Sequence, residues 1–194
     1  MATRREQAER RREDLMDTAL AVFADKGVDG ASIKDIAARA GITPGLVYHY
    51  FESKTDLITT VLRERGFVPR LRELLAGTAD QPAAEVLRRV VAGFQQVLSE
   101  NAQLVDLFFT ASRAHDEIRT AMNDFVEEGQ SMLTDYLRSR VEAGELRPHD
   151  CGAAANALFA AVAVGARSAS ATDVDELVDI VLFGVVAQGA ELNG

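Results

Sequence analysis

The stretch SIKDIAARAGITPGLVYHYFESK, residues 32–54, constrains the fold most, because its start and stop signals come too close together for anything but short helices. Ser32 followed three residues later by Asp35 is a capping-box-like pair, and the apolar rhythm it opens ends at Gly41. Thr43 then stands in N-cap position, with Pro44 at the first helical residue, where its missing N–H costs nothing. Ser53 is placed to cap the next helix. Upstream, Leu15, Ala19, Val22 and Phe23 repeat with helical period, and Gly27 supplies a stop. Three helices therefore fit into the first 54 residues, the second and third short and joined by a turn at Gly41.

Helical periodicity continues beyond residue 54, and strand alternation is nearly absent. A helix is expected from Lys54 to about Ala76, interrupted at Gly66 and Pro69, with the proline expected to kink or break it. The loop GTADQP (77–82) leads to a helix carrying Val86, Val90, Phe94, Val97 and Leu98, and AQLVDLFFTASR reads as a short helix after it. Ile118, Met122, Phe125, Met132, Leu133, Tyr136 and Leu137 form one stripe on a long helix. The segment GELRP (144–148) separates it from two last helices, expected at about 150–169 and 173–190.

The first of that pair is dense in small residues (Ala153, Ala154, Ala155, Ala157, Ala160, Ala161, Ala163, Gly165, Ala166). The second is apolar on nearly all sides (Leu177, Val178, Ile180, Val181, Leu182, Phe183, Val185, Val186). A helix apolar all round has to be buried all round, and the last element of a short chain is hard to bury within its own subunit. The pair is therefore expected to form a self-complementary two-fold interface, a four-helix bundle in a homodimer; an ordinary intrachain core is the plainer alternative.

The formal charge of −9 argues against nucleic acid only if it is spread evenly, and it is not. Residues 1–54 hold nine basic and nine acidic side chains, whereas residues 55–194 hold 12 and 21. The N-terminal quarter is neutral and can present a local basic face. The single cysteine, Cys151, rules out an internal disulfide framework and a cysteine-based zinc site. Asp14 and Asp17 interrupt the apolar stretch after the N-terminal arginines, so a signal peptide is not expected, nor are the apolar windows near 153–166 and 177–187 suited to span a bilayer. A cytoplasmic protein is the expectation. No Glu-x-x-His pattern occurs and His49, His115 and His149 are scattered, so no catalytic set, metal site or cofactor is expected.

Two short helices joined at Gly41 describe a helix-turn-helix whose second helix enters a major groove N-terminus first. Pro44 and Gly45 keep that end slim, Thr43 and Tyr48 offer hydroxyls, and an aromatic face can pack on sugar or a thymine methyl. In the crowded run Tyr48, His49, Tyr50, Phe51, the expectation is that Phe51 faces the core with Val47 while the other three border the outer face. Lys54, at the start of the fourth helix, is expected to clamp a phosphate together with the backbone N–H groups there.

The segment TALAVFADKGVDGASIKDIAARAGITPGLVYHYFESKTDLI (18–58) closely resembles the N-terminal signature of the tetracycline-repressor-like (TetR) transcriptional regulators. AGELRPHD (143–150) is similar to that family's lead-in to its penultimate helix. The resemblance implies a nine-helix, all-α protein: a three-helix DNA-binding domain, residues 1–54, and a six-helix effector-binding and dimerisation domain, residues 55–194. It implies DNA contacts from Thr43, Pro44, Gly45, Tyr48, and His49 or Tyr50, with Lys54 and Ser32 on phosphates, and base specificity mainly from Thr43, Gly45 and His49. The family commonly carries histidine where this chain has Tyr50, with its own histidine one position earlier at His49; both side chains can donate to phosphate.

The resemblance further implies a double-stranded operator, commonly repressed, and a small-molecule effector held among helices four to eight. Candidate lining residues are Phe67, Leu71, Phe94, Val97, Phe108, Phe109, Met122, Phe125 and Phe159, with Arg113, His115 or Asn156 as polar anchors. A ligand there would shift the fourth helix at its Gly66–Pro69 break and change the spacing of two recognition helices. The alternative is a protein of this fold that acts through a protein partner without a small-molecule effector. The run RREQAERRRE reads equally as a basic arm for the minor groove or as a solvated helix with Glu6, Glu9 and Glu13 spaced to pair with its arginines.

Overall fold

A computed structural model describes residues 3–165 and 173–184, and among these every regular element is an α-helix. In order they are α1 (Arg4–Gly30), α2 (Ile33–Arg39), α3 (Pro44–Tyr50), α4 (Lys54–Arg65), α5 (Phe67–Leu75), α6 (Ala83–Glu100), α7 (Ala102–Ala114), α8 (Asp116–Glu142), α9 (Cys151–Gly165) and α10 (Val174–Phe183). Among the described residues the expected nine-helix layout is recovered when α4 and α5 are counted as one broken helix. The break lies at Gly66, whose backbone is extended (φ −74°, ψ −176°), and not at Pro69. Pro69 falls in the first turn of α5, where a missing N–H leaves no intrahelical bond unmade. Ala166, Val185 and Val186, assigned above to the last two helices, lie outside the described residues.

Gly27 ends the regular part of α1 as its position suggested: it has φ 70° and ψ 170°, and Ala31 N–H bonds back to its carbonyl at 3.2 Å. The arginine run is helical, not extended. Thr3 caps it by accepting from Glu6 N–H at 3.2 Å, while the Glu6 carboxylate accepts from Thr3 N–H at 2.8 Å.

Packing divides the chain into two compact units that do not follow the 54/55 boundary. The first contains residues 1–66 and 101–126, the second residues 67–100 and 127–194. The reason lies in apolar stripes. Leu57, Ile58, Val61 and Leu62 of α4 share one core with Leu15, Met16, Ala19, Val22 and Phe23 of α1, Val47 and Phe51 around α3, and Leu104, Phe108 and Ala111 of α7. Leu107, Met122 and Phe125 pack against this core.

The second unit has its own core. Phe67 stacks on Phe94 with ring centroids 4.3 Å apart, and Phe159 meets both, at 6.1 and 5.0 Å. The buried Arg140 donates to the Ala79 carbonyl at 2.7 Å, and Glu145 accepts from Ala83 N–H at 2.6 Å. The GELRP turn is thereby tied to the start of α6. Arg88 reaches Asp175 and Asp179, which holds α10 on α6, with Val178 fully buried below.

Candidate nucleic-acid interface

The helix-turn-helix is assembled from contacts within a few residues. Ser32 Oγ accepts from Asp35 N–H at 3.2 Å, and the Asp35 carboxylate accepts from Ser32 N–H at 2.9 Å, closing the expected capping box. At the far end of α2, Gly41 N–H bonds to the Ala38 carbonyl at 3.2 Å and Ile42 N–H to the Ala37 carbonyl at 3.0 Å. These are the two bonds of a Schellman motif, with Gly41 in the left-handed region at φ 67°. Only glycine takes that conformation without strain, so the turn between the two helices rests on this residue.

In α3, Pro44 occupies the first turn and Thr43 the N-cap, but the Thr43 side chain makes no capping bond. Its hydroxyl is exposed and available to an external partner. Val47 and Phe51 are buried, as the aromatic run suggested, while Tyr48 is 55% exposed and His49 is exposed beside it. Tyr50 sits at the border of that face: it is half-buried, packs partly against the core, and lies edge to face with His49 at 5.2 Å. Gly45 has a helical backbone, and a Cβ there would meet nothing within 4 Å beyond its neighbours and the backbone of its own helix. Glycine weakens a helix by ~1 kcal/mol relative to alanine, so nothing inside the fold accounts for it. Thr43, Gly45, Tyr48 and His49 thus form the open face of α3.

Two of the expected phosphate ligands are occupied within the chain. Lys54 Nζ donates to the Val28 carbonyl at 2.6 Å and the Ala31 carbonyl at 3.0 Å, anchoring the segment between α1 and α2 to the start of α4. The Ser32 hydroxyl donates to Asp35 Oδ2 at 2.5 Å, so its one proton is engaged. Lys26 and Arg39 are likewise paired, with Asp35 and Asp25. Lys34 is exposed on α2 and has no ion pair among the described residues, a surface cation that the sequence alone did not single out. Its only signal in the sequence was its place two residues after the cap.

Two predictions arise here. Replacing Lys54 by methionine keeps the stem and removes the bonds to two carbonyls; a loss of about 1–3 kcal/mol is expected in urea denaturation. A loss of DNA affinity with unchanged stability would instead assign Lys54 to phosphate. The second concerns Asp35, whose carboxyl is lowered from 3.8 to about 2 by its bonds from Lys26 and from the Ser32 side chain and N–H. The unfolded chain takes up this proton near 3.8 and the folded one only near 2. The contribution is therefore fully present above about pH 4 and lost as pH falls through the folded value. Between pH 4 and 2 the stability of Asp35→Asn is expected to fall less steeply than that of the parent; parallel acid limbs would contradict the capping role.

The effector candidates divide between the two units. Phe67, Leu71, Phe94, Val97, Asn156 and Phe159 lie in the second; Phe108, Phe109, Arg113, His115, Met122 and Phe125 lie in the first. Phe67, Leu71, Phe94, Phe108 and Phe159 are core, and Arg113 and Asn156 are exposed at the surface. His115 lines an open cavity of about 540 Å³ between the end of α1 and α7, with its Nε2 2.9 Å from Asp29 Oδ1. Among the described residues no cluster of three or more His, Cys, Asp or Glu could hold a metal, and no helix is long and apolar enough to cross a membrane.

The sequence profile of the tetR family of bacterial regulatory proteins matches residues 15–61, and that of the AefR-like transcriptional repressor C-terminal domain matches residues 85–179. The HTH-type transcriptional repressor KstR2 of Mycolicibacterium smegmatis is 33% identical over 144 residues, covering 71% of this chain and 68% of its own. KstR2 of Rhodococcus jostii is 39% identical over 149 residues, with the same coverage of 71% and 68%. Among solved structures, the regulator FadR from Bacillus subtilis in complex with stearoyl-CoA superposes with a TM-score of 0.72 at 21% identity, covering 89% of this chain and 98% of that one. A TetR-family regulator from Syntrophomonas wolfei gives 0.75 at 18% identity, covering 90% and 92%. The last two likenesses bear on the fold.

Proposed function

The chain belongs to the tetR family of bacterial transcriptional regulators, and from that premise we propose that it is a repressor that binds a palindromic operator as a homodimer and leaves it on binding a small, largely apolar molecule. It is a DNA-binding regulator and not an enzyme. The observation that carries the DNA reading is the open face of α3, where Thr43, Gly45, Tyr48 and His49 stand clear of a core built on Val47 and Phe51. In this reading residues 1–54 form the DNA-binding domain and 55–194 the effector and dimerisation domain, and the cytoplasm is the site of action. Tyr50, Pro44 and Lys34 flank the groove-facing side chains, and Lys54 and Ser32 serve chiefly to hold the helices.

Dimerisation is assigned to α9 and α10. While Val178 is buried, Ile180 is 42% and Phe183 67% exposed, and Ala153, Ala157 and Ala160 leave an exposed face of α9 narrow enough for close helix approach. An apolar effector is favoured by the FadR neighbour, which carries stearoyl-CoA. Release is assigned to movement of α4 at its Gly66 end, where Gly66 lies against the ring of Phe125, altering the spacing of two recognition helices. The direct contact among Phe67, Phe94 and Phe159 favours the second reading, action through a protein partner with no small effector.

Selection of sites from random duplex DNA by the purified protein tests the proposal. A palindromic consensus with half-sites about one helical turn apart, weakened by stearoyl-CoA, is the expected result. No enrichment at either low or moderate salt would sink the operator reading. A palindrome unaffected by acyl-CoA would move the partner reading ahead.

A further inference from the structure

The three consecutive arginines of α1 do not share one environment. Arg10 and Arg11 are exposed, whereas Arg12 grips both oxygens of Glu64 on α4, at 2.6 and 2.5 Å, and its guanidinium carbon lies 5.5 Å from the centre of the Phe51 ring. Phe51 is the residue that closes α3: its N–H bonds to the Val47 carbonyl at 3.0 Å, and its ring is 2% exposed. One planar cation therefore joins α1, the end of α3 and the last turn of α4. A guanidinium can fork onto both oxygens of a carboxylate while its plane contacts a ring, whereas an ammonium is a compact point charge without that planar, two-pronged geometry.

This matters because α3 holds itself poorly. It has seven residues and no side-chain capping bond at Thr43, so its pose is set by what packs on it. Below the Phe51 ring is the core; against it is Arg12. Glu64 in turn lies two residues before Gly66, where α4 ends.

We propose that Arg12 is a positioning residue for the recognition helix, bridging Glu64 of α4 to the ring of Phe51 so that α3 is held in its DNA-reading pose and follows any displacement of α4. This rests on the reading of α3 as the DNA-contacting helix. It assigns Arg12 a role different from a phosphate contact, although both predict that losing the arginine weakens binding.

The two roles separate on charge. Operator affinity is measured over a range of salt for the full-length protein and for Arg12→Lys, Arg12→Met and Glu64→Gln. Positioning predicts that all three bind about tenfold more weakly, with an unchanged slope of affinity against salt, since no phosphate contact is lost. A phosphate contact predicts that Arg12→Lys keeps its affinity, that Arg12→Met lowers the salt slope by about one, and that Glu64→Gln, which removes a negative charge, binds more tightly. Any one of these three results would overturn the proposal. Hydrogen exchange without DNA decides the point independently: faster exchange at residues 46–51 in Arg12→Lys and Arg12→Met, with α6 unchanged, is expected. Parent-like protection there would overturn positioning, even if the parent protein selects no DNA sequence and the operator reading fails by itself.

Discussion

Phe67→Ala is expected to destabilise the second unit by about 3–5 kcal/mol. The side chain is fully buried, stacked on Phe94 at 4.3 Å and edge-on to Phe159 at 6.1 Å, so truncation removes contacts with two rings at once. Collapse around the gap is restricted, because Phe159 already lies against the backbone of α8 at Gly129. The cost should therefore sit toward the upper end of the range for large-to-small changes. The chain has no tryptophan, so denaturation followed by far-UV circular dichroism is the suitable measurement. An apolar cavity of this kind stays dry and takes up small apolar molecules. Saturating benzene should consequently raise the melting temperature of Phe67→Ala and leave the parent unchanged. A loss below about 1 kcal/mol, far short of a buried-ring truncation, would show that the three rings border open space, and would strengthen their earlier reading as pocket walls.

Gly66→Ala should carry the second large effect, about 1–3 kcal/mol. A Cβ at this position would stand 2.4 Å from the Leu62 carbonyl oxygen and 2.4 Å from Cζ of Phe125. The carbonyl cannot step aside without breaking the bond it accepts from Gly66 N–H at 3.0 Å, and the ring is packed against the first core. The glycine is thus required by close approach, since its own φ of −74° is open to any residue. Combining it with Phe125→Leu should recover part of the loss, because the ring is half of the obstruction; strict additivity would mean that Phe125 is not the neighbour that matters. If α4 carries the effector signal, Gly66→Ala should also change how strongly stearoyl-CoA weakens operator binding, which the same selected duplex can report.

Much of the first unit was legible because it is locally encoded. The Ser32–Asp35 box, the turn at Gly41, Pro44 in the first turn of α3 and the Ser53 cap all join groups no more than about five residues apart. Such contacts follow from residue type and spacing alone. The same is true of the inward turn of Val47 and Phe51, which the helical period dictates. How far Tyr50 is covered was not legible, because a seven-residue helix has more than one boundary side chain, and only the neighbouring core decides which of them it covers.

What the chain's own order of residues determined, then, is the set of helices, the caps and turn of the first unit and the family to which they belong; it put the break after α4 at Pro69 and ran the last helix to about residue 190, whereas the structure breaks at Gly66 and ends α10 at Phe183, before Gly184 at φ 76°. The tertiary structure decided the partners of the long side chains. Lys54 meets carbonyls 26 and 23 residues away, and Arg12 meets a carboxylate 52 residues away. It also placed Phe67, Phe94 and Phe159 in one unit and Phe108, Phe109 and Phe125 in the other. A flexible cation or an aromatic ring at helical spacing has many possible partners, and the choice among them depends on which surfaces folding brings within reach, a property no local pattern contains.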